Sequence, residues 1–404
     1  LSERYRTEFP VFRQAQQAGQ PLHYLDNPAT TFRPQCVIDA VTEYYTTYPA
    51  NVHRAMYALS ERATDAFESA RDAVQHFINA SAREEIIFTS GTTHSINLLA
   101  NAWCCRLGPD DTILTTAMDH HSNLIPWRLA AQRYGFTVRC VPVTPDGNLD
   151  LEAFDDLLDA RVRLIALTHM SNVHGVVPPV ETIIAKAHAR GIPVCLDAAQ
   201  SVAHFPIDVQ RLGCDFLAFS GHKMFAPTGT GILYARRERL ETMQPFMGGG
   251  DMINTVTFDS QTWADLPARF EAGTPNIAGF IGLHAAIHFI ERIGFDTLAA
   301  ENRHLTALLR EALGGIRGLR ILPGNAPDSA GLVSFTVEGI HPHDIAQFAA
   351  ERGVAIRPGN LCAQPLLQQL GVPAVCRAGF ALYNSEQDIH ELVNAITDAE
   401  RFFA

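Results

Sequence analysis

The 404-residue chain carries a formal net charge of −12, with 31 Lys and Arg against 43 Asp and Glu. With 47% hydrophobic and 18% charged residues it has the make-up of a soluble globular protein with core enough for two domains, which excludes a disordered chain. The acidic balance excludes the nucleic-acid backbone as a partner, since that partner rewards clustered Lys and Arg, and no run approaches the roughly 18 apolar residues that span a bilayer.

The amino end, Leu-Ser-Glu-Arg-Tyr-Arg, does not open on methionine and lacks the apolar core of a signal peptide, so the expected location is the cytoplasm. From about residue 60 to 235, short apolar runs at 85–88, 112–114, 137–140, 164–167, 193–196, 216–219 and 231–234 alternate with segments of helical period, among them 61–79 and 183–190. This alternation predicts a mostly parallel sheet covered on both faces, with ligands bound beyond the carboxyl ends of its strands. Between 248 and 275 the pattern breaks into an irregular polar stretch, of the kind that is functional or spans an interface. Helices near 277–293 and 297–314 follow. Strands near 319–322, 331–336 and 375–381, with helices at 342–352 and 385–402, then predict a smaller α+β domain, with the boundary near 255–290.

Eight cysteines, at 36, 104, 105, 140, 195, 214, 362 and 376, form no CxxC pair, so no zinc or iron–sulfur site is expected, and most should be buried as small hydrophobes. Cys195 and Cys214 lie in apolar surroundings that suit core packing.

Ser90-Gly91-Thr92-Thr93 follows one apolar run and opens a helical segment; it reads either as an ordinary capped helix or as a phosphate cradle. His120-His121 follows the run at 112–114. Adjacent histidines point different ways, which leaves a structural pair or one imidazole stacked on a flat ring. Asp197 caps a loop or faces a ring nitrogen. Lys223, in Ser220-Gly221-His222-Lys223, is a surface lysine or an amine for an imine, and the glycines of Pro227-Thr228-Gly229-Thr230-Gly231 favour the second by letting backbone approach a bound molecule. A lysine and an acid at two strand ends, 26 positions apart, describe a site for pyridoxal 5′-phosphate (PLP). Near the carboxyl end, Arg357-Pro358-Gly359-Asn360-Leu361-Cys362 and Arg377 put a cysteine on a glycine-turned loop beside arginines. That setting generates a thiolate, and an arginine fork binds a carboxylate; the alternative is a buried cysteine.

Eight segments in order resemble the cysteine desulfurases of the class V aminotransferase family over nearly the whole chain. They are Asn51 to Arg54, Gly91 to Thr93, Asp119 to Trp127, Met170 to Gly175, Asp197 to Gln200, Ser220 to Lys223, Glu271 to Asn276 and Arg357 to Ala363. The likeness is greatest to the cysteine sulfinate desulfinase branch of the SufS-like group. It implies a PLP-dependent transferase of fold type I, α/β, with a large domain around a mostly parallel seven-stranded sheet and a smaller carboxyl-terminal α+β domain. The implied division is 1–20 as an amino-terminal segment packing with the small domain, 21–275 as the PLP-binding domain and 276–404 as the small domain carrying the Cys362 loop. It also implies a cytoplasmic homodimer with active sites near the dimer interface, and a role in sulfur mobilisation such as iron–sulfur cluster assembly.

By this likeness Lys223 is the Schiff-base lysine, Asp197 the ring-nitrogen partner and His120 the stacking residue and proton carrier. Asn172 and Gln200 lie near the ring hydroxyl. Thr92, Thr93, Ser220 and His222 hold the phosphate, with Thr274 reaching in from the other subunit. Arg377 binds the substrate carboxylate, helped by Asn172, with Arg357, His53 and Arg54 also near the substrate. Cys362 takes sulfur from L-cysteine as a persulfide, leaves alanine, and passes the sulfur to a SufE-like acceptor protein. Two departures stand out: Leu361 replaces the histidine that relatives commonly carry before the cysteine, and His94 replaces a glutamate after the paired threonines. The first predicts a slower thiol step that leans on an acceptor. Selenocysteine or cysteine sulfinate as main substrate, a sulfur-relay platform with little free turnover, and an aminotransferase are the rival readings.

Overall fold

The computed structural model describes residues 2–323 and 331–403. Its large sheet has seven strands: β1 (Ile86–Thr89), β2 (Thr112–Thr116), β3 (Thr137–Val141), β4 (Val162–Thr168), β5 (Val194–Asp197), β6 (Phe216–Ser220) and β7 (Gly231–Ala235). The spatial order is β1-β7-β6-β5-β4-β2-β3. β7 runs antiparallel to both neighbours, and every other pairing is parallel. All seven strands coincide with the apolar runs of the sequence.

Most of the strands are buried along their length because both faces of the sheet are covered, whereas the edge strand β3 is exposed or half-buried over most of its length. Along β6, Leu217 and Phe219 join one buried cluster while Phe216 and Ala218 join another across the sheet, and in β5 Leu196 and Cys195 divide in the same way. Helices α1 (Gln35–Thr47), α2 (Ala58–Phe77) and α3 (Ile277–Ile293) build much of the outer layer, with α3 packed against both others. The side chain of Asn276 caps α3 by accepting the Gly279 N–H at 3.0 Å. Gly282 lets α3 close on its neighbours: a Cβ there would lie 2.5 Å from Pro227 Cγ.

A second, antiparallel sheet holds β8 (Leu319–Leu322), β9 (Leu332–Val337), β10 (Arg357–Gly359) and β11 (Val375–Gly379) in the order β8-β9-β11-β10. Helices 295–314, 342–351 and 386–403 pack with it around a separate cluster that includes Leu309, Phe335, Ile345, Phe380 and Ile396. The sequence reading took 357–359 as loop. It is an edge strand, where proline is tolerated, and three residues with Pro and Gly offer no alternation to read. The irregular stretch between 248 and 275 likewise contains an antiparallel hairpin, Ile253–Val256 with Gln261–Trp263.

The amino-terminal segment joins the units. Phe9 meets Phe225, Phe289 and Tyr383, while His23–Tyr24 pairs in parallel with Val354–Ala355. All eight cysteines are free, but only Cys104, Cys195, Cys214 and Cys376 are buried; Cys36, Cys105, Cys140 and Cys362 are exposed, more than composition suggested. Among the described residues no single helix is long and apolar enough to cross a membrane.

Candidate active site

β4, β5 and β6 end side by side at Thr168, Asp197 and Ser220, and helix 92–104 starts just after β1. These ends open on a cavity of about 660 Å³, within the range of small-molecule sites. Thr92, Thr93, His120, Asn172, Asp197 and Gln200 line it, as do Ser220, His222 and Lys223. The small unit closes it with Arg357, Cys362 and Arg377. Segments far apart in sequence, from Pro28 to Arg377, thus meet, as expected for the carboxyl edge of a parallel sheet.

Asp197 is 4% exposed, and one carboxylate oxygen accepts the Ala199 N–H at 2.9 Å. Burial pushes its carboxyl up, while that N–H and Lys223 pull the other way. Lys223 follows β6 in a single tight turn. Exclusion of water draws its ammonium down to about 8 against the attraction of Asp197, which brings the free amine within reach of neutral pH. Burial and the positive charge of Lys223 hold His120 down to about 4, so its imidazole is neutral near pH 7. Its Nδ1 accepts the Ser122 N–H at 3.0 Å, which leaves the ring proton on Nε2. His121 points elsewhere, its ring tilted 49° to that of His120 and outside the cavity lining.

At the cradle end, Ser220 Oγ accepts the Thr92 N–H at 2.8 Å and pairs with Thr92 Oγ1 at 2.7 Å; Thr93 Oγ1 meets Ser122 Oγ at 2.8 Å. Glycine is required here: a Cβ on Gly231 would stand 2.3 Å from the backbone of Gly91. The close pass of these backbones aims the first turn of helix 92–104 at the cavity.

At the opposite end Arg377 is 3% exposed. Its Nη1 donates to the Asn172 carbonyl at 2.9 Å and its Nη2 to Asp26 Oδ1 at 3.3 Å. Asp26 also takes a fork from Arg357, with Nη2–Oδ2 at 2.6 Å. Burial outweighs Asp26 and brings the Arg377 guanidinium down to about 10, still cationic at neutral pH. Arg377 Nε and Asn172 Oδ1 are buried with no hydrogen-bond partner. Of the buried unpaired side-chain atoms among the described residues, these two belong to residues that line the cavity, where a ligand can complete the bonding. Cys362 is exposed on the turn after β10.

This donor set fits PLP. A near-neutral amine and a buried carboxylate share one cavity wall, and a cationic ring nitrogen placed there would add to the charge that Lys223 offers Asp197. The model of the aminotransferase class-V family matches residues 23–392.

The chain belongs to the aminotransferase class-V family.

Its similarity within that family is to cysteine desulfurases. A probable cysteine desulfurase of Xylella fastidiosa is 46% identical over 395 residues, 98% of this chain and 94% of the relative. The crystal structure of the cysteine desulfurase CsdA (S-sulfonic acid) from Escherichia coli superposes with a TM-score of 0.93 at 39% identity, covering 100% of this chain and 99% of that one. A C-DES mutant with glycine covalently linked to the PLP cofactor matches with a TM-score of 0.85 at 25% identity, covering 97% and 99%. The two-unit architecture is that of fold-type I PLP enzymes in this family.

Three expected residues lie off the cavity lining: Thr274 is exposed, and His53 and Arg54 line a separate cleft, where Arg54 pairs with Asp251 at 2.6 Å and His53 with Glu68 at 3.0 Å. Arg357 reaches the lining, but its fork is engaged by Asp26. Sequence reading missed Asp26, Ser122 and His343. Asp26 is placed by the short pairing of 23–24 with 354–355, too brief a strand to show a pattern. Ser122 lay within a motif already marked. His343 sits on a helix whose apolar period gave no reason to single it out.

Proposed function

We infer that the protein is a PLP-dependent cysteine desulfurase, which moves the sulfur of L-cysteine onto Cys362 and leaves L-alanine. The observation that carries this reading is that the Lys223 amine and the exposed Cys362 open on one cavity, with buried Arg377 between the two units. Transamination gives an exposed thiol on the rim no role.

When bound, PLP withdraws electron density from the substrate α-carbon. We assign Lys223 as the anchoring amine and as the base that moves the α-proton once released. Asp197 would pair with the ring nitrogen. Neutral His120 would stack on the ring, with Nε2–H available to carry a proton, while Asn172 and Gln200 would serve the ring hydroxyl. Thr92, Thr93, Ser220 and His222 hold the phosphate through hydroxyl and backbone donors. Arg377, a buried cation in the cavity lining, takes the substrate carboxylate, with Arg357 supporting through Asp26.

The sulfur step balances without an outside oxidant. Cys362 thiolate attacks the substrate sulfur, an S–S bond forms and the C–S bond breaks, with its electron pair left on carbon. That carbon takes a proton to give alanine, and Cys362 holds the persulfide. Leu361, 7% exposed, has no group to give or take a proton, so neighbouring side chains and the acceptor must serve that need.

We also propose a homodimer. Met56 is 96% and Phe258 107% exposed, and Tyr57, Leu59, Phe246, Met247 and Val256 add to an apolar surface. The Arg54–Asp251 pair and a Gly273 N–H to Gly250 carbonyl bond of 2.9 Å link this surface to the segment carrying Thr274. A second copy seated there would cover the patch and bring Thr274, His53 and Arg54 toward its neighbour's cavity. The exposed thiol suits delivery to a SufE-like acceptor, and eight free thiols suit the reducing cytoplasm.

Cys362→Ser tests the assignment. The variant should keep the cofactor absorption and lose about 100-fold or more of sulfur release from L-cysteine; undiminished release overturns the nucleophile role.

A further inference from the structure

Besides the Ala363 N–H to Asn360 carbonyl bond of 3.0 Å that closes it, three hydrogen bonds reach the Leu361–Cys362 backbone of the turn. Asn172 Nδ2 donates to the Leu361 carbonyl at 2.8 Å, the His121 N–H donates to the Cys362 carbonyl at 2.8 Å, and Asn360 Oδ1 accepts the Cys362 N–H at 3.0 Å. The turn needs them, because Leu361 and Cys362 have φ of 52° and 55°. This left-handed region costs a residue with a side chain roughly 1–3 kcal/mol and persists only where the surroundings over-determine it.

Asn360 belongs to the turn, and His121 lies outside the cavity lining. Asn172 is the holder that stands both outside the turn and in the cavity wall. It is 6% exposed, its Oδ1 has no partner, and its amide uses one of two N–H groups. Its own carbonyl accepts from Arg377, whose Nε is the neighbouring orphan. An orphan acceptor and a spare N–H on Asn172 and an orphan guanidinium donor on Arg377 thus belong to two hydrogen-bonded residues that both line the cavity. A buried polar network left incomplete is weak, and completing it strengthens every member.

We propose that Asn172 is a positioning residue for Cys362: its carboxamide bridges the bound amino acid and the Leu361 carbonyl, so that a seated substrate locks the thiol-bearing turn for attack on sulfur. This rests on the desulfurase reading and adds a link between substrate recognition and nucleophile placement. A substrate can bias the turn only through groups that touch both, and Asn172 is such a group. In the thiol-dependent reaction the lock limits the rate. With cysteine sulfinate the C–S bond breaks with its pair left on carbon and sulfur departs as sulfur dioxide, so no attack by Cys362 is needed and the lock is idle.

The test compares kcat/KM for L-cysteine and L-cysteine sulfinate in the wild-type, Asn172→Ala and Asn172→Asp holoenzymes. The two substrates share amine, carboxylate and cofactor, so any general loss of binding or cofactor orientation cancels in their ratio. The cysteine-to-sulfinate ratio should fall about 10- to 100-fold, the scale of a misplaced reacting group. In cofactor-free protein, the Cys362 and Ala363 amides should exchange hydrogen several-fold faster in either variant, with β5 and β6 unchanged. A ratio equal to that of the wild type overturns the proposal, as does wild-type exchange at the turn. A wild type that leaves cysteine untouched sinks the desulfurase reading instead, and the exchange measurement still decides the tether.

Discussion

Asp197 ends a strand buried along its whole length, whereas Cys362 sits exposed on a turn behind a three-residue edge strand. The floor of the cavity is held by the parallel ladder itself, with Asp197, Ser220 and Lys223 within three residues of strand ends that cannot shift without breaking two apolar layers. The rim is held by single hydrogen bonds from Asn172 and His121, across a backbone that side chains disfavour. Groups that must keep a fixed charge relation are placed on the floor. The group that, on the proposed reading, meets first a substrate and then an acceptor is placed on the rim, where local opening costs less.

Lys223→Ala breaks the floor and has the largest expected effect: cysteine turnover falls by about 10³-fold or more and the visible absorption of bound PLP is lost. Retention of both removes the lysine assignment. Next comes the join between floor and rim. Asp26→Ala leaves Arg377, 3% exposed, without its carboxylate, and breaking a buried pair costs about 3–5 kcal/mol. Denaturant titration should show that loss, together with a raised KM for L-cysteine; a variant as stable as wild type with an unchanged KM would show that Asp26 orders neither arginine.

The smallest effect concerns pH. A free amine is needed to capture the cofactor aldehyde, and Lys223 is drawn down to about 8. The rate of PLP uptake by cofactor-free protein should therefore rise about tenfold between pH 6 and 7 and level off above about pH 8–9, rather than climb toward the ordinary lysine value of about 10.4. A profile still rising at pH 10 would place the amine in water.

The floor was legible in the sequence and the rim only partly so. Each buried strand announces itself as an apolar run, and Asp197, Ser220 and Lys223 fall where such runs stop. Arg377 and Cys362 were found through residue type and motif, but Asp26, which orders both arginines, lies 351 positions from Arg377 and carries no local signal. The tether from Asn172 to Leu361 is equally invisible, because a backbone carbonyl has no residue identity. His53, Arg54 and Thr274 were singled out by motif, yet one chain leaves them off the cavity lining, and the proposed homodimer is what would give them a use.

The central claim is that sulfur leaves L-cysteine as a covalent adduct of Cys362. Mass spectrometry of the PLP-loaded protein after brief exposure to L-cysteine, without acceptor or reductant, tests it most directly. The account predicts one added sulfur atom on the peptide containing Cys362, with alanine released in equal amount; alanine formed while that peptide stays unmodified would contradict it.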